Sequence, residues 1–322
     1  MKYYFLFRLL VGSILLTALS ACGSGQQIDK SNNSTSKAVY AATVTQSQSK
    51  VFISSASSEA FTVANSGVNL YGGLSSEVIT INSGVNSVTL DQNIDRFNLP
   101  GDSSNYRYKQ TGNMLVVYDN LGVTTIATFP VQGDDNGTQL GFSNGTYDAK
   151  IILGQIYIGG TAVSQSIPVQ ITPLTATSIG ESTISATSTA GIFMANTDSF
   201  TVSNSGAKVY GANGTEVLTV TDGTSNITFD QNIEQLNFSG ADTNYKFLQT
   251  GNLINIYHTN GSTLIAKGPV QGTSGTLLCF ANGSGWVQMT TGGTMQLGGT
   301  TVSTTTPGII SAANNGSITI KW

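Results

Sequence analysis

Short segments in which apolar and polar residues alternate follow one another about every ten residues along the chain. The first four cover residues 68–71, 78–81, 88–90 and 94–99, and Gly, Asn and Ser separate them. Alternation with a period of two in β-branched residues is typical of strands with one buried face. The regular spacing suits a parallel β-solenoid in which each turn covers the next, and a β-sandwich with short hairpins is the alternative.

Longer alternating segments follow and predict an antiparallel meander. They cover residues 106–110, 114–118 and 125–131, and Gly112-Asn113 and Asn120-Leu121-Gly122 lie between them. Glycine at these places supplies the positive φ that tight turns need. We therefore predict an all-β chain. Each unit would combine a short parallel β-solenoid-like or sandwich half with an antiparallel meander.

The chain contains two copies of this unit. Residues 53–133 align with residues 192–272 without a gap, and 36 of 81 positions are identical. A repeat of this length indicates a duplicated module. We expect a signal peptide over residues 1–21, a flexible tether over 22–50, a first β module over 51–165, a linker over 166–189 and a second β module over 190–322.

The N-terminal segment predicts export and lipidation. Lys2 and Arg8 accompany an apolar run over residues 9–19, which has the length of a signal-peptide core and is shorter than the ~20 residues of a membrane span. The run ends in Leu19-Ser20-Ala21-Cys22-Gly23, which resembles the bacterial lipobox. The resemblance implies cleavage before Cys22 and lipid on its sulfur, with palmitate among the acyl chains. Gly23 after the cysteine fits onward export to the outer membrane, and an ordinary secretory signal is the alternative.

Composition narrows the chemistry. Only 9% of residues are charged, against about 25% in ordinary globular proteins. The single histidine, His258, excludes a three-histidine zinc centre. The net charge is −4, and −6 once Lys2 and Arg8 are removed, so clustered cations for nucleic acid are missing. We expect neither an enzyme nor a nucleic-acid-binding protein.

Several segments resemble one family. Residues 94–99, 105–108, 112–119 and 140–145, together with residues 233–240, 245–247, 251–257 and 278–283 of the second copy, resemble the β-rich segments of RTX, or haemolysin-type calcium-binding, adhesins and exoproteins. The resemblance implies a β-roll that leads into further strands, and a role in adhesion. The glycine-aspartate nonapeptides that bind Ca²⁺ in the family are missing from this chain. We therefore expect no cofactor. Ca²⁺ is the one candidate if a cofactor is bound.

Two groups of residues are candidate sites. The metal-ligand candidates combine a carboxylate with a nearby amide or second acid, and turn formation is their alternative role. They are Asp91, Asn93, Asp230, Asn232, Asp134 and Asp135. The ligand-binding candidates are tyrosines present in both copies, which could stack on sugar rings or pack across strands. They are Tyr71, Tyr210, Tyr118 and Tyr257.

These features predict a lipid-anchored structural or adhesion protein of the cell envelope, located at the outer membrane. Its expected partners are the membrane, through the lipid on Cys22, and a polysaccharide or a surface protein. Two linked copies of one module would strengthen binding to a repetitive target. A carbohydrate-binding accessory protein of the envelope is the alternative.

Overall fold

A computed structural model describes residues 47–54, 59–74, 76–133, 137–171, 188–270, 272 and 274–311. The predicted signal peptide, Cys22, most of the tether, most of the linker and the pair Asp134 and Asp135 lie outside these residues. The described residues are strands and turns with two short 3-10 helices, at Ser103–Asn105 and Asp242–Asn244. Among them, no helix is long and apolar enough to cross a membrane.

The strands are numbered in chain order. Those of the first module are β1 (Lys50–Phe52), β2 (Glu59–Val63), β3 (Asn69–Tyr71), β4 (Glu77–Ile81), β5 (Val88–Leu90), β6 (Arg96–Asn98), β7 (Tyr106–Thr111), β8 (Met114–Asp119), β9 (Thr125–Pro130), β10 (Thr138–Phe142), β11 (Gly145–Ile152), β12 (Gln155–Ile158) and β13 (Thr161–Ala162). Those of the second module are β14 (Gly191–Phe193), β15 (Ser199–Val202), β16 (Lys208–Tyr210), β17 (Glu216–Val220), β18 (Ile227–Phe229), β19 (Ile233–Phe238), β20 (Tyr245–Thr250), β21 (Leu253–His258), β22 (Leu264–Pro269), β23 (Thr276–Phe280), β24 (Gly283–Met289), β25 (Met295–Leu297) and β26 (Thr300–Thr301).

The first half of each module is a two-sided parallel β-solenoid, which confirms the all-β prediction and decides against the sandwich. In the first module β1, β3, β5 and β9 run parallel on one side, and β2, β4, β6 and β10 run parallel on the other. Val51 pairs with Leu70 and Leu70 with Leu90, so one turn takes about 19 residues. The second module repeats this arrangement.

The antiparallel meander is inserted into the solenoid. Strands β7 and β8 form a hairpin, and β9 pairs antiparallel with β8 on one edge and parallel with β5 on the other. The third strand of the meander is therefore also the fourth strand of the parallel sheet. Strands β11 to β13 then extend the opposite sheet by antiparallel pairing. The sequence predicted the meander, whereas this return to the solenoid is found only in the structure.

Apolar side chains from the two sheets fill the interior of each module. In the first module the rings of Phe97 and Phe129 meet across the core, with centroids 5.6 Å apart. The second module has Gly268 where the first has Phe129, and Phe229 where the first has Leu90. A Cβ atom on Gly268 would lie only 2.3 Å from the ring of Phe229. One ring therefore occupies the same volume in both modules, but it comes from neighbouring strands, as close packing requires.

The two modules join along one sheet. Strands β1 and β14 pair antiparallel, and together the modules form a twelve-stranded sheet with the order β20-β21-β22-β18-β16-β14-β1-β3-β5-β9-β8-β7. Val51 pairs with Ile192, and these two residues are equivalent, because Val51 pairs with Leu70 and Ile192 pairs with the equivalent Val209 on the next strands. A pseudo-twofold axis therefore passes between these two residues. On the other side, each module keeps its own seven-stranded sheet, which ends at β2 or β15.

Candidate functional site

Two buried carboxylates accept hydrogen bonds from hydroxyl groups across the junction between the modules. Asp198 accepts hydrogen bonds from the hydroxyl groups of Ser47, at 2.6 Å, and Ser49. Glu59 accepts hydrogen bonds from the hydroxyl groups of Ser188, at 3.1 Å, and Thr189, at 2.5 Å. Ser47 and Ser188 occupy equivalent positions, since their N–H groups bind the equivalent carbonyls of Ser66 and Ser205, and Glu59 is equivalent to Asp198. The junction is therefore two-sided and self-complementary, as in an isologous dimer interface.

The edges of the two seven-stranded sheets are capped reciprocally at the same junction. The Asn65 carboxamide donates to the carbonyl of Thr201 at 2.8 Å and accepts from its N–H at 2.7 Å. The Asn204 carboxamide makes the same pair of bonds to Thr62, both at 2.8 Å. Each module thus satisfies backbone groups on the edge strand of the other, and the two modules are held in one orientation.

An exposed row of four aromatic rings crosses this junction on the outer side of the twelve-stranded sheet. Tyr71 stacks on Phe52 with centroids 4.7 Å apart, and Phe193 stacks on Tyr210 at 4.8 Å. The two pairs meet where Phe52 and Phe193 contact edge to face at 5.5 Å. Phe52 is 44% exposed, Phe193 46% and Tyr210 37%. We call these four residues the aromatic row and this side of the sheet the wide face.

Most of the positively charged side chains that the structure describes also lie on the wide face. Six of the eight Lys and Arg residues that the structure describes lie on its strands, with their side chains exposed or half-buried. They are Lys50, Arg107, Lys109, Lys208, Lys246 and Lys267. The same strands contain one acid, Asp119, at the end of β8. Within the described residues, the ion pair found joins Lys150 and Asp148 on the opposite sheet. The wide face is therefore cationic on a chain whose net charge is −4.

The structure separates the four candidate tyrosines. Tyr71 and Tyr210 form the two ends of the aromatic row. Tyr118 and Tyr257 are half-buried on β8 and β21, where they pair with Arg107 and Lys246 across the meander hairpins. Strand β8 lies four strands from β1, which is roughly 19 Å at the usual strand spacing. These two tyrosines therefore do not join the row.

The candidate metal ligands Asp91 and Asp230 stabilise turns. Asp91 Oδ1 accepts the N–H groups of Gly72, at 3.0 Å, and Asn93, at 3.1 Å. Asp230 Oδ1 makes the same contacts with Gly211, at 3.0 Å, and Asn232, at 3.1 Å. Each carboxylate thus links two successive turns of the solenoid. Among the described residues, no three His, Cys, Asp or Glu side chains are grouped to hold a metal ion.

A further set of acids recurs once per turn on the other side of the solenoid. Glu59, Glu77 and Asp95 lie within one residue of the starts of successive strands of the first module, and Asp198, Glu216 and Glu234 do so in the second. Asp95 Oδ2 accepts the N–H of Glu77 at 3.0 Å, and Glu234 Oε2 accepts the N–H of Glu216 at 2.8 Å. Asp95 and Glu234 thus bind backbone donors of the adjoining turn, whereas Glu59 and Asp198 bind hydroxyl groups across the junction, so these carboxylates have structural roles here.

A cleft of about 430 Å³ lies at one end of the first module, between the turn at residues 82–86 and the β8–β9 turn. Tyr106 and Asp119 are among its lining residues. The Tyr106 hydroxyl donates to the carbonyl of Pro100, and burial raises the pKa of Tyr106 to about 12. Backbone N–H groups of Val123 and Thr124 bind Asp119 and lower its pKa. Both titratable groups are thus engaged in fixing turns, and the remaining polar lining consists of amides and hydroxyls.

Comparisons of the chain with protein-family models, with curated proteins and with solved structures return no match.

Sequence reasoning found the ends of the aromatic row but missed its centre. Tyr71 and Tyr210 were identified because they are equivalent in the two modules. Phe52 and Phe193 are equivalent in the structure, because each pairs with the equivalent tyrosine on the next strand. The ungapped alignment places them two residues out of register, so it gave no reason to choose either phenylalanine. A phenylalanine at an outward position of a predicted strand is a signal in its own right, because exposed large apolar groups are the informative exceptions on a surface.

Proposed function

We propose that this protein is a lipid-anchored adhesion or structural protein of the bacterial cell surface, built from two copies of an RTX-adhesin-like β module. Its anchor would be the lipid on Cys22, and the outer membrane would be its location. The binding surface would be the wide face. The observation that carries this proposal is the continuous twelve-stranded sheet, which joins both modules and exposes aromatic rings at its centre.

The architecture supports the adhesin likeness in one further respect. A turn of the solenoid takes about 19 residues, close to the length of two nonapeptides. The resemblance to the RTX adhesins does not extend to the calcium-binding residues, because the candidate ligands Asp91 and Asp230 already accept hydrogen bonds from backbone N–H groups. The proposal therefore does not depend on bound Ca²⁺.

The junction changes how two copies would act together. Flexibly linked modules gain avidity through an effective concentration that depends on the linker. Here the Asn65 and Asn204 contacts hold the modules edge to edge, so the two copies contribute to one continuous surface. A target would be met by a single extended face of roughly 50 Å, estimated from twelve strands at the usual spacing.

The second candidate function is a carbohydrate-binding accessory protein of the envelope. Exposed rings on a rigid sheet favour it, because an aromatic ring offers an apolar face with few rotatable bonds. Both candidates use the wide face. In the first, binding attaches the whole cell to its target; in the second, binding holds a carbohydrate that a neighbouring enzyme would act on.

Metabolic labelling tests the anchor. Cells grown with labelled palmitate should incorporate the label into the wild-type protein and not into Cys22→Ser. Protease added to intact cells should degrade the wild-type protein. An unlabelled wild-type protein, or one released into the medium without lipid, would contradict the proposed anchoring.

Cell adhesion tests the use of the wide face. Cells that carry Phe52→Ala/Phe193→Ala should adhere or aggregate less than cells that carry the wild-type protein. The matched control is Lys150→Gln/Tyr157→Ala, which removes a paired lysine and tyrosine from the opposite sheet. Equal adhesion by wild type and the phenylalanine variant, at equal surface levels, would contradict the proposal.

A further inference from the structure

We propose that the wide face binds an acidic polysaccharide, with sugar rings against the aromatic row and sugar carboxylates near the lysines beside it. This inference rests on the surface-binding role proposed above and names the class of ligand.

Charge complementarity identifies an anionic ligand. Lys50 and Lys208 flank the aromatic row directly, because Lys50 pairs with Phe193 and Lys208 pairs with Gly191 across strands. Both lysines are exposed, and within the described residues neither forms an ion pair. Unpaired cations gathered on one face of an acidic protein attract an anion and orient its approach.

The aromatic row indicates that the anionic ligand also contains sugar rings, which would lie against the aromatic side chains. Its four rings form two stacked pairs with interplanar angles of 13° and 17°. Tyr71 and Tyr210 at the ends add hydroxyl groups to apolar rings, a combination that suits the mixed polar and apolar faces of a sugar. Gly191 keeps the centre open, since a Cβ there would lie 3.3 Å from the Phe193 ring.

Neutral polar side chains complete the lining of the wide face. Asn69 pairs with Lys50 on one side and with Thr89 on the other, and Thr228 pairs with Lys208. These side chains occupy outward positions and are exposed or half-buried. Amides and hydroxyls both donate and accept hydrogen bonds, which matches the hydroxyl groups of a polysaccharide.

The spacing of the cations favours a polysaccharide over a nucleic acid. Six cations are spread over roughly 50 Å of sheet. Double-stranded DNA carries one charge per about 1.7 Å and is bound through clustered Lys and Arg. The flat, extended shape of the face also suits a chain of sugars better than a small anion, for which a concave pocket is usual.

Binding to sodium polygalacturonate, a polymer of uronic acid, tests the inference. The full-length lipoprotein in detergent micelles is titrated with this polymer, with neutral dextran, with polyphosphate and with phosphatidylglycerol vesicles. Two variants alter the face: Phe52→Ala/Phe193→Ala removes the central rings, and Lys50→Gln/Lys208→Gln removes the flanking charges. Lys150→Gln/Tyr157→Ala is the matched control on the opposite sheet. Circular dichroism and thermal melting check that each variant is folded.

The inference predicts that polygalacturonate binds and that each wide-face variant weakens binding at least tenfold, while the control binds like wild type. Raising the salt concentration about tenfold should also weaken binding, because the lysines are exposed. Equal affinity for dextran overturns the acidic class. Equal affinity for polyphosphate or for the vesicles, unaffected by loss of the rings, overturns recognition of sugars. Absence of polygalacturonate binding by the folded wild-type protein overturns the inference outright.

These outcomes are separable from those of the proposed function. A protein that carries palmitate and mediates adhesion through the wide face, but does not bind polygalacturonate, keeps its proposed role and loses the ligand class. A protein that binds polygalacturonate but carries no lipid keeps the ligand class and loses the anchored role.

Discussion

Asn65 and Asn204 occupy equivalent positions in the two copies and cap each other's modules with the same two hydrogen bonds. Asn65 binds both backbone groups of Thr201, and Asn204 binds both backbone groups of Thr62. The relationship makes the junction between the modules a pseudo-twofold interface within one chain.

Removing these caps should destabilise the junction. Asn65→Ala and Asn204→Ala should each lower the free energy of unfolding by about 1–3 kcal/mol, since each leaves a backbone donor and acceptor without their partner. Urea denaturation measures the effect. The control is Asn213→Ala, an exposed position in a turn of the second module. A cost no larger than that of Asn213→Ala would show that the caps contribute nothing to stability.

Because one phenylalanine ring fills the same core volume in each module, exchanging the residues at positions 229 and 268 together should be tolerated better than changing position 268 alone. Gly268→Ala should cost about 1–3 kcal/mol, because its Cβ would overlap the ring of Phe229. Phe229→Leu alone should leave a cavity. The double variant Phe229→Leu/Gly268→Phe introduces the pair found at Leu90 and Phe129, and it should be more stable than Gly268→Phe alone. Thermal melting of the double-mutant cycle measures the coupling, and strict additivity would contradict the exchange.

The features that depend on the local order of residues could be predicted from the sequence. Alternating residues predicted the strands, and the alignment of the two copies predicted the two modules. The return of β9 to the solenoid depends on pairing between β5 and β9, which lie on either side of the inserted hairpin β7–β8. The junction depends on which edges meet, and Asn65 and Asn204 look like ordinary turn residues in the sequence. The two phenylalanines of the aromatic row are out of register in the ungapped alignment of the copies, and only the pairing of β1 with β14 brings the members of the row together.

Alkaline titration should distinguish the buried tyrosines. Burial raises the pKa of Tyr106 to about 12, and it also raises the pKa values of Tyr108 and Tyr245. The folded state holds these protons more tightly than the unfolded state, whose tyrosine pKa is about 10. Their contribution to stability is therefore complete below about pH 10 and is lost as the pH rises towards 12. Urea midpoints should fall across this range, and near-ultraviolet absorbance should show late-titrating phenols. A single titration step near pH 10 in the folded protein would contradict this account.

The turn contacts of Asp91 predict stability that is independent of calcium. Asp91→Ala should cost about 1–2 kcal/mol through loss of two hydrogen bonds, with or without a chelator. Asp91→Asn keeps an acceptor oxygen and should cost less. Melting temperatures measured in about 1 mM Ca²⁺, which lies in the affinity range of extracellular calcium modules, should match those in chelator. A calcium-dependent rise that disappears in Asp91→Asn would establish a metal site instead.

The continuous sheet across the module junction is the premise of both functional proposals, and a spin-label distance tests it most directly. Thr89 and Thr228 are equivalent outward positions on β5 and β18, which lie five strands apart in the twelve-stranded sheet. Their Cα atoms should therefore be separated by roughly 24 Å. Pulsed electron resonance of the doubly labelled full-length protein should give one narrow distribution consistent with this separation. A broad distribution, or one centred far beyond it, would contradict the joined sheet.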